Sequence, residues 1–339
     1  MKRTHQFLNS AWIVAALATS LPLGAYQAPQ AKAFRAPVET RASVASLWTD
    51  RGNLESLNLF YGPGGKDHQP TGKFTFVKED LEGTNPKFEV VDEQGVKWKA
   101  KLGSEGRPET AATRLLWAAG YFTDEDYYVA ELRIDKMPKL ERGSHFLAPD
   151  GLVRGVRLER HVKGQKKNGN WSWYKNPLEG TKELSGLKVM MALMNNWDLK
   201  DTNNVIYTGP GDETHYAISD LGATFGRTGN TMTRSKGELK DYQESKFIKK
   251  AGPEHVNFSF HSRPLFFMIF HVPYYLERTK MQGIVKHIPR EHAKWMGQQL
   301  ARLSPEQIRD CFRASGFSPA EVEGFATVVQ GRIAELNRL

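Results

Sequence analysis

Apolar and polar positions alternate most clearly between residues 73 and 102. Lys73–Val77 alternates, a turn spans 80–86, Lys87–Val91 follows, and Asp92–Gly95 connects tightly to Val96–Leu102. In that last segment Val96, Trp98, Ala100 and Leu102 share one face and Lys97, Lys99 and Lys101 the other, the period-two signature of a half-buried strand. Three antiparallel strands are therefore predicted. The period then lengthens: from Pro108-Glu109 to about Gly120, residues Ala112, Leu115, Leu116 and Ala119 fall on one helical face. Proline in the first turn and glycine at the end suit those positions.

Strand-like pieces return at 127–132 and 153–160, and the basic, polar stretch 163–176 reads as a connection, with Trp171 and Trp173 exposed or half-buried beside it. Glu183–Asn195 is apolar on nearly every side and reads as a buried helix. A polar loop 197–204 leads into short strands at 205–207 and 214–219. Residues 223–250 are rich in Gly, Thr, Ser and Lys and are expected to form a long mobile loop. The remainder, 251–339, reads mainly helical, most clearly at 305–314 and 319–336. The expected organisation is α+β: an irregular N-terminal extension 34–70 ending in the turn Gly62-Pro63-Gly64-Gly65, an N-terminal lobe 71–162, a connection 163–182, and a mainly helical C-terminal lobe 183–339.

Composition adds an address and a charge. Met1-Lys2-Arg3 precedes an apolar and small-residue run through Ala25 broken by Pro22 and Gly24, and Ala31-Lys32-Ala33 offers a cleavage site. The run is short for a membrane span, so 1–33 reads as a signal peptide and the protein as periplasmic or secreted; a retained anchor or a buried helix is the alternative. Cleavage leaves 306 of 339 residues and removes Lys2, Arg3 and Lys32, lowering the formal charge from +9 to +6. That excess suits anionic partners, phosphates or an anionic surface among them, although solubility alone would explain it. No recognition-helix or finger signature points to nucleic acid. No later segment has membrane-spanning length, since the apolar run 264–270 has seven residues. One cysteine, Cys311, excludes an internal disulfide framework and a Cys-rich metal site, and reads as a buried thiol. His255, His261 and His271 match no zinc spacing.

The chemistry concentrates at 198–222. Asp198 and Asn203 sit in the loop after the buried helix, and Asp220 ends the following pair of strands, which would return it beside them. This places two oxygen donors suited to Mg²⁺ beside a carboxylate free to orient a hydroxyl. Asp198-Leu199-Lys200-Asp201-Thr202-Asn203 resembles the protein-kinase catalytic loop, and Asp220-Leu221-Gly222 resembles its metal-binding D-F-G element. The wider order over roughly 74–222 is similar to atypical kinase-like proteins, such as the phosphoinositide-kinase-like, HipA-like and secreted Fam20-like groups.

That resemblance implies a two-lobed protein-kinase-like fold and an exported bacterial member using ATP or another nucleoside triphosphate with Mg²⁺ or Mn²⁺. It implies Asp198 as the base or orienting aspartate, Lys200 as the lysine facing the transferred phosphate, and Asn203 and Asp220 as metal ligands. Lys101 and Glu109 resemble the strand lysine and its helix partner, and Gly83-Thr84-Asn85 occupies the place of the phosphate-covering loop. The acceptor would be a protein, lipid or small molecule. The chain departs from the pattern at Asn196 and Trp197, which stand where His and Arg would be, in having one glycine in the 80–86 turn, and in lacking an A-P-E element.

Plainer readings stand beside these. Three in-phase lysines make an ordinary solvated strand face, Glu109 suits a helix start, and Asn203-Asn204 suit a turn. The Thr- and Ser-bearing segment 223–250, with Thr224, Thr228, Thr231, Thr233, Ser235 and Ser245, reads as an activation-type loop, a substrate lid or a simple surface loop. Two further functional readings are a noncatalytic pseudokinase-like protein that binds a ligand or partner, and a structural envelope protein using its basic face.

Overall fold

The alternating segments close on themselves. In the computed structural model, which describes residues 46–339 except 84, 210, 230–232, 261–268 and 270, five strands form a barrel. They are β1 (Phe74–Asp80), β2 (Lys87–Asp92), β3 (Lys97–Lys101), β4 (Asp126–Asp135) and β5 (Leu152–Arg160). Their order is β1-β2-β3-β5-β4, and parallel pairing of Phe74 with Ile134 and Thr75 with Asp135 joins β1 to β4. Residues 1–33, where a signal peptide is expected, Thr84, Thr231, His261 and most of the apolar run 264–270 lie outside the described residues.

Alternation fills the barrel as the pattern requires: Phe88, Val90, Trp98, Ala100, Leu102, Val156 and Leu158 are all buried in it. The Asp92 carboxylate pins the β2–β3 turn, accepting from the backbone of Val96 at 2.8 Å and from Trp98 Nε1 at 2.8 Å.

Helix α1 (Gly106–Ala118) has two unlike faces. Ala111, Ala112, Leu115 and Leu116 enter the larger core, which is built mainly by the C-terminal helices. Glu109, Thr113 and Arg114 are as deeply buried, yet they meet charged groups of the barrel strands. The helix ends on Gly120, at φ 102°, where the backbone N–H groups of Gly120 and Tyr121 donate to the carbonyls of Trp117 and Leu116. A side chain could not be placed there: a Cβ on Gly120 would lie 2.3 Å from Trp48 Nε1 and 2.5 Å from the Thr49 carbonyl.

Helix α2 (Lys182–Leu193) is buried along its length, capped at the start by the Thr181 hydroxyl. At its end Asn195 takes a left-handed φ of 53°, and the N–H groups of Asn195 and Asn196 return to Ala192 and Met191. Strands β7 (Asn204–Thr208) and β8 (Thr214–Ile218) follow and pair with the short β6 (Lys166–Lys167) as a separate three-stranded sheet. After α3 (Leu239–Glu244), a third sheet joins β9 (Ile248–Ala251), β10 (His255–Phe258) and β11 (Ile288–Pro289). Helices α4 (Val272–Ile284), α5 (Arg290–Leu300), α6 (Pro305–Arg313) and α7 (Pro319–Asn337) complete the chain. The last two begin with reciprocal caps, Ser304 with Gln307 and Ser318 with Glu321.

The architecture is thus α+β, with an N-terminal sheet-and-helix region and a largely helical C-terminal region. The two additional sheets do not fit the clean two-lobed plan that the sequence resemblance implies. Two expectations need correction. Trp171 and Trp173 are buried at 4% and 1% exposure, because they pack edge to face with each other in the larger core. Within 223–250, Ala223, Thr224 and Phe225 are buried and α3 and β9 form. The C-terminal part is mainly helical as expected, and also contains the short strands β10 and β11. Residues 46–70 carry little regular structure, yet Leu47, Leu54 and Leu59 are buried in the larger core. No helix among the described residues is long and apolar enough to cross a membrane.

Gly120→Val is expected to destabilise the fold by about 2–4 kcal/mol through combined backbone strain and overlap. Denaturant unfolding would show this as a lower midpoint with an unchanged slope.

Candidate active site

A polar cleft of about 360 Å³ is lined by the 81–86 turn, by β3, α1 and β5, by the 198–203 loop and by the end of the β7–β8 pair. Lys101, Glu109, Gly83, Asn85, Asp198, Lys200, Asn203 and Asp220 all face it. Of the site residues that the resemblance implies, only Thr84 is absent from this set, and it lies outside the described residues.

Lys101 is the centre. Although Lys97 is exposed and Lys99 half-buried on the same strand face, Lys101 is 7% exposed. Its Nζ lies 2.7 Å from Glu105 Oε2, 3.0 Å from Glu109 Oε2 and 3.2 Å from Asp220 Oδ1. Burial opposes the ammonium charge, but the three carboxylates outweigh it and hold the lysine protonated well above its usual range. The solvated-face reading fails for Lys101 because its strand ends under α1.

Glu105 was not apparent in the sequence, since it belongs to no motif and precedes the helix. Its carboxylate also takes Lys236 Nζ at 2.6 Å and the Asn85 amide. Burial works against the Glu105 charge, yet Lys101 and Lys236 bring the group down to about 2. Gly222 stands where any Cβ would lie 2.7 Å from the Glu105 Cβ, so the glycine of Asp220-Leu221-Gly222 makes room for this carboxylate.

Beneath the cleft runs a buried ionic seam. Arg157 Nε lies 3.1 Å from Glu109 Oε2, and its terminal nitrogens reach Asp126 Oδ2 at 3.4 Å and Glu159 Oε2 at 3.0 Å. Arg114 and Thr113 complete the shell of Asp126, and Lys99 lies 2.9 Å from Glu159. Full burial pushes the Glu109 carboxyl up to about 7 against the pull of Arg157 and Lys101. Its Oε1 is buried with no hydrogen-bond partner.

The 198–203 loop is set by its neighbours. Asp198 N–H donates to Asn196 Oδ1 at 3.0 Å, Asn203 Nδ2 donates to the Asp198 carbonyl at 2.7 Å, and Lys200 Nζ lies 3.0 Å from Asp198 Oδ1. Two backbone bonds, Trp197 to Ala223 and Phe225 to Met194, fasten this loop to the segment after Asp220. Where the kinase pattern has arginine the chain has Trp197, and a guanidinium arrives from elsewhere: buried Arg278 of α4 donates to the Trp197 carbonyl at 2.7 Å. The 81–86 turn is held from outside by Arg142, which donates to the carbonyls of Gly83 at 2.7 Å and Asp80 at 2.9 Å.

Glu105, Glu109 and Asp220 offer three carboxylate oxygens within 4.8 Å of one another, the one such cluster among the described residues. With Glu105 and Glu109 buried, Asp220 half-buried and one Glu109 oxygen orphaned, this hard-oxygen set is suited in principle to a divalent cation. Asn203 lines the same cleft. A second cavity of about 460 Å³ adjoins the cleft, sharing Lys99, Glu159 and Lys167 with it. There Asp124 accepts from Tyr207 at 2.9 Å and Ser219 at 2.8 Å, and burial with nearby Glu159 raises its carboxyl to about 7.

No family model matches the chain, and no curated protein matches it either. Among the solved structures that are distantly similar to the chain are two kinases. One is the Helicobacter pylori proinflammatory kinase CtkA, at 11% identity and TM-score 0.45 over 79% of this chain and 98% of that one. The other is the golgi casein kinase, at 10% identity and TM-score 0.35 over 78% and 75%. Both likenesses are distant.

Arg157→Met leaves Glu109, Asp126 and Glu159 without their shared cation and is expected to cost about 3–5 kcal/mol in denaturant unfolding. Glu105 ionises near pH 2 when folded against an ordinary 4.5, so its contribution is complete above pH 4.5 and disappears as pH falls toward 2. Stability measured across that window should fall with pH, and Glu105→Gln should flatten the slope.

Proposed function

We propose that the cleft binds a nucleoside triphosphate with Mg²⁺ or Mn²⁺ and transfers its terminal phosphoryl group to a hydroxyl acceptor. The observation carrying this reading is the convergence on one cleft of Lys101, paired with a helix glutamate, and of Asp198, Asn203 and Asp220 from a loop and hairpin far along the chain. A solvated lysine face, a helix-start glutamate and two turns give no reason for these groups to meet.

Lys101 would hold the phosphates, with Glu109 and Glu105 orienting its ammonium. Asp220 and Asn203 would hold the cation, whose chemistry is to neutralise phosphate charge. Lys200 lies at the cleft side of Asp198 and would face the transferred group. In the transfer the acceptor oxygen bonds to the terminal phosphorus, the bond from that phosphorus to the nucleoside diphosphate oxygen breaks, and the hydroxyl proton passes to Asp198. The second cavity would take the nucleoside. Export to the periplasm or beyond belongs to the same proposal and rests on residues 1–33.

One observation favours the noncatalytic alternative. The 81–86 turn has a single glycine, and Arg142 already occupies the carbonyls of Asp80 and Gly83, which limits how closely the turn can fold over phosphates.

Calorimetric titration with ATP, with and without Mg²⁺ or Mn²⁺, tests the reading. Metal-dependent binding is expected, lost in Asp220→Ala and weakened about a hundredfold in Lys101→Met, roughly the effect of removing a charge-assisted phosphate contact. No binding with either metal would sink the proposal. Binding without any slow nucleotide hydrolysis or autophosphorylation would select the noncatalytic alternative.

A further inference from the structure

The three lysines in phase on β3 face different spaces. Lys97 lines only the second cavity, Lys99 lines both that cavity and the main cleft, and Lys101 lines only the cleft. The lysines therefore step from one space into the other, about 7 Å apart and over about 13 Å of backbone in all. Lys167 of β6, on a different sheet, lines both spaces as well. Of these four, only Lys101 is used by the phosphoryl-transfer reading.

The charge of the second cavity follows from its pairings. Five cations line it, Lys78, Lys97, Lys99, Arg160 and Lys167, against three carboxylates. Lys78 has Glu89 at 3.2 Å and Lys99 has Glu159 at 2.9 Å, while Arg160 leans on Glu125, outside the lining, at 3.6 Å. The third carboxyl, Asp124, accepts from two hydroxyls and is raised to about 7 by burial and by Glu159, so part of its charge is lost near neutrality. Exposed Lys97 and Lys167 are left with no carboxylate partner among the described residues. A nucleoside is uncharged and gives these two ammoniums nothing to pair with. A further run of phosphates does, and one joined covalently to those in the cleft would meet Lys99 and then Lys97 in order.

We propose that the protein takes a linear inorganic polyphosphate as phosphoryl donor, its terminal phosphates in the main cleft and the following ones held by Lys99, Lys97 and Lys167. This rests on the reading of the cleft as a phosphoryl-transfer site and changes what fills the space beside it. The terminal phosphates would meet Lys101 and the cation as those of a nucleotide would, so the two donors share one cleft. In the transfer the acceptor oxygen bonds to the terminal phosphorus, and the bond from that phosphorus to its bridging oxygen breaks. The electron pair leaves with the shortened polyphosphate, and the hydroxyl proton passes to Asp198.

The full chain is titrated calorimetrically with inorganic tripolyphosphate and with long-chain inorganic polyphosphate, each with Mg²⁺ and without nucleotide. Long-chain polyphosphate is expected to bind about tenfold tighter per phosphate or better, and Lys97→Gln combined with Lys167→Gln to erase most of that preference, as for the loss of charge-assisted contacts. Lys240→Gln removes an exposed lysine of α3 that lines neither space and should leave the preference intact. Incubation with labelled polyphosphate and Mg²⁺ should move label to a hydroxyl of the protein or release it to water, and Asp220→Ala should stop both. Equal affinity per phosphate overturns the proposal. So does an equal loss in Lys240→Gln, which marks general attraction to a basic protein. Polyphosphate that binds but is never cleaved overturns the donor role and, with ATP equally inert, phosphoryl transfer itself. Metal-dependent ATP binding and turnover with no chain-length preference refutes the polyphosphate donor alone and leaves the nucleotide reading standing.

Discussion

The buried ionic seam between α1 and the barrel is the constraint on which the site depends. One side of α1 is apolar and belongs to the helical core, and the other presents Glu109, Thr113 and Arg114 to Asp126 and Arg157 of the strands. Charges this deep are tolerated only as a mutually satisfied set, since each alone would bear a large desolvation cost. The helix can therefore sit in one rotation and at one height. Lys101, at the end of β3, then has its ammonium placed among three carboxylates from two chain segments, the start of α1 and the stretch after β8. Such a seam is weak evidence of high stability, but it is good at specifying geometry.

Delivery of the remaining groups follows from local backbone chemistry. The left-handed Asn195 stops α2 and turns the chain, Asn196 catches the Asp198 N–H, and the β7–β8 pair returns the chain so that Ser219 N–H donates to the Asn203 carbonyl at 2.9 Å. Asp220 follows directly. Its neighbour Gly222 lets Glu105 approach, so one absent side chain links the loop after β8 to the start of α1. Arg332 secures the end of α2 from the far C-terminus, donating to the Leu193 carbonyl at 2.7 Å and to Asn195 Oδ1 at 2.9 Å.

Period and punctuation made the barrel strands, α1, α2, α6 and α7 legible in the sequence, because each has a clean alternation, a nearly continuous apolar run or a strong cap. Placement of Asp198, Asn203 and Asp220 was legible for a similar reason: a two-strand return is a local event. Lys101 was ambiguous, since its phase with Lys97 and Lys99 says nothing about which lysine lies under a helix. Glu105, Arg142, Arg157, Lys236 and Arg278 were missed. Apart from the near pairs Glu105–Lys101 and Arg157–Glu159, they act through partners between about twenty and more than a hundred residues away, and no spacing encodes those meetings, although the single glycine Gly222 hinted that something passes close. The burial of Trp171 and Trp173 was hidden by the polar, basic residues around them, and β11 is too short for any period to register.

The parallel seam between β1 and β4 has one more consequence. An open five-stranded sheet presents two rows of unpaired backbone donors and acceptors, each a template onto which another chain can add. Here both outer strands find each other over Phe74 and Thr75, so the sheet that carries Lys101 shields much of its rim. A half-folded molecule would lack that protection until β4, more than fifty residues after β1, has been placed. Ring closure should therefore mark the moment when the N-terminal region ceases to be prone to self-association.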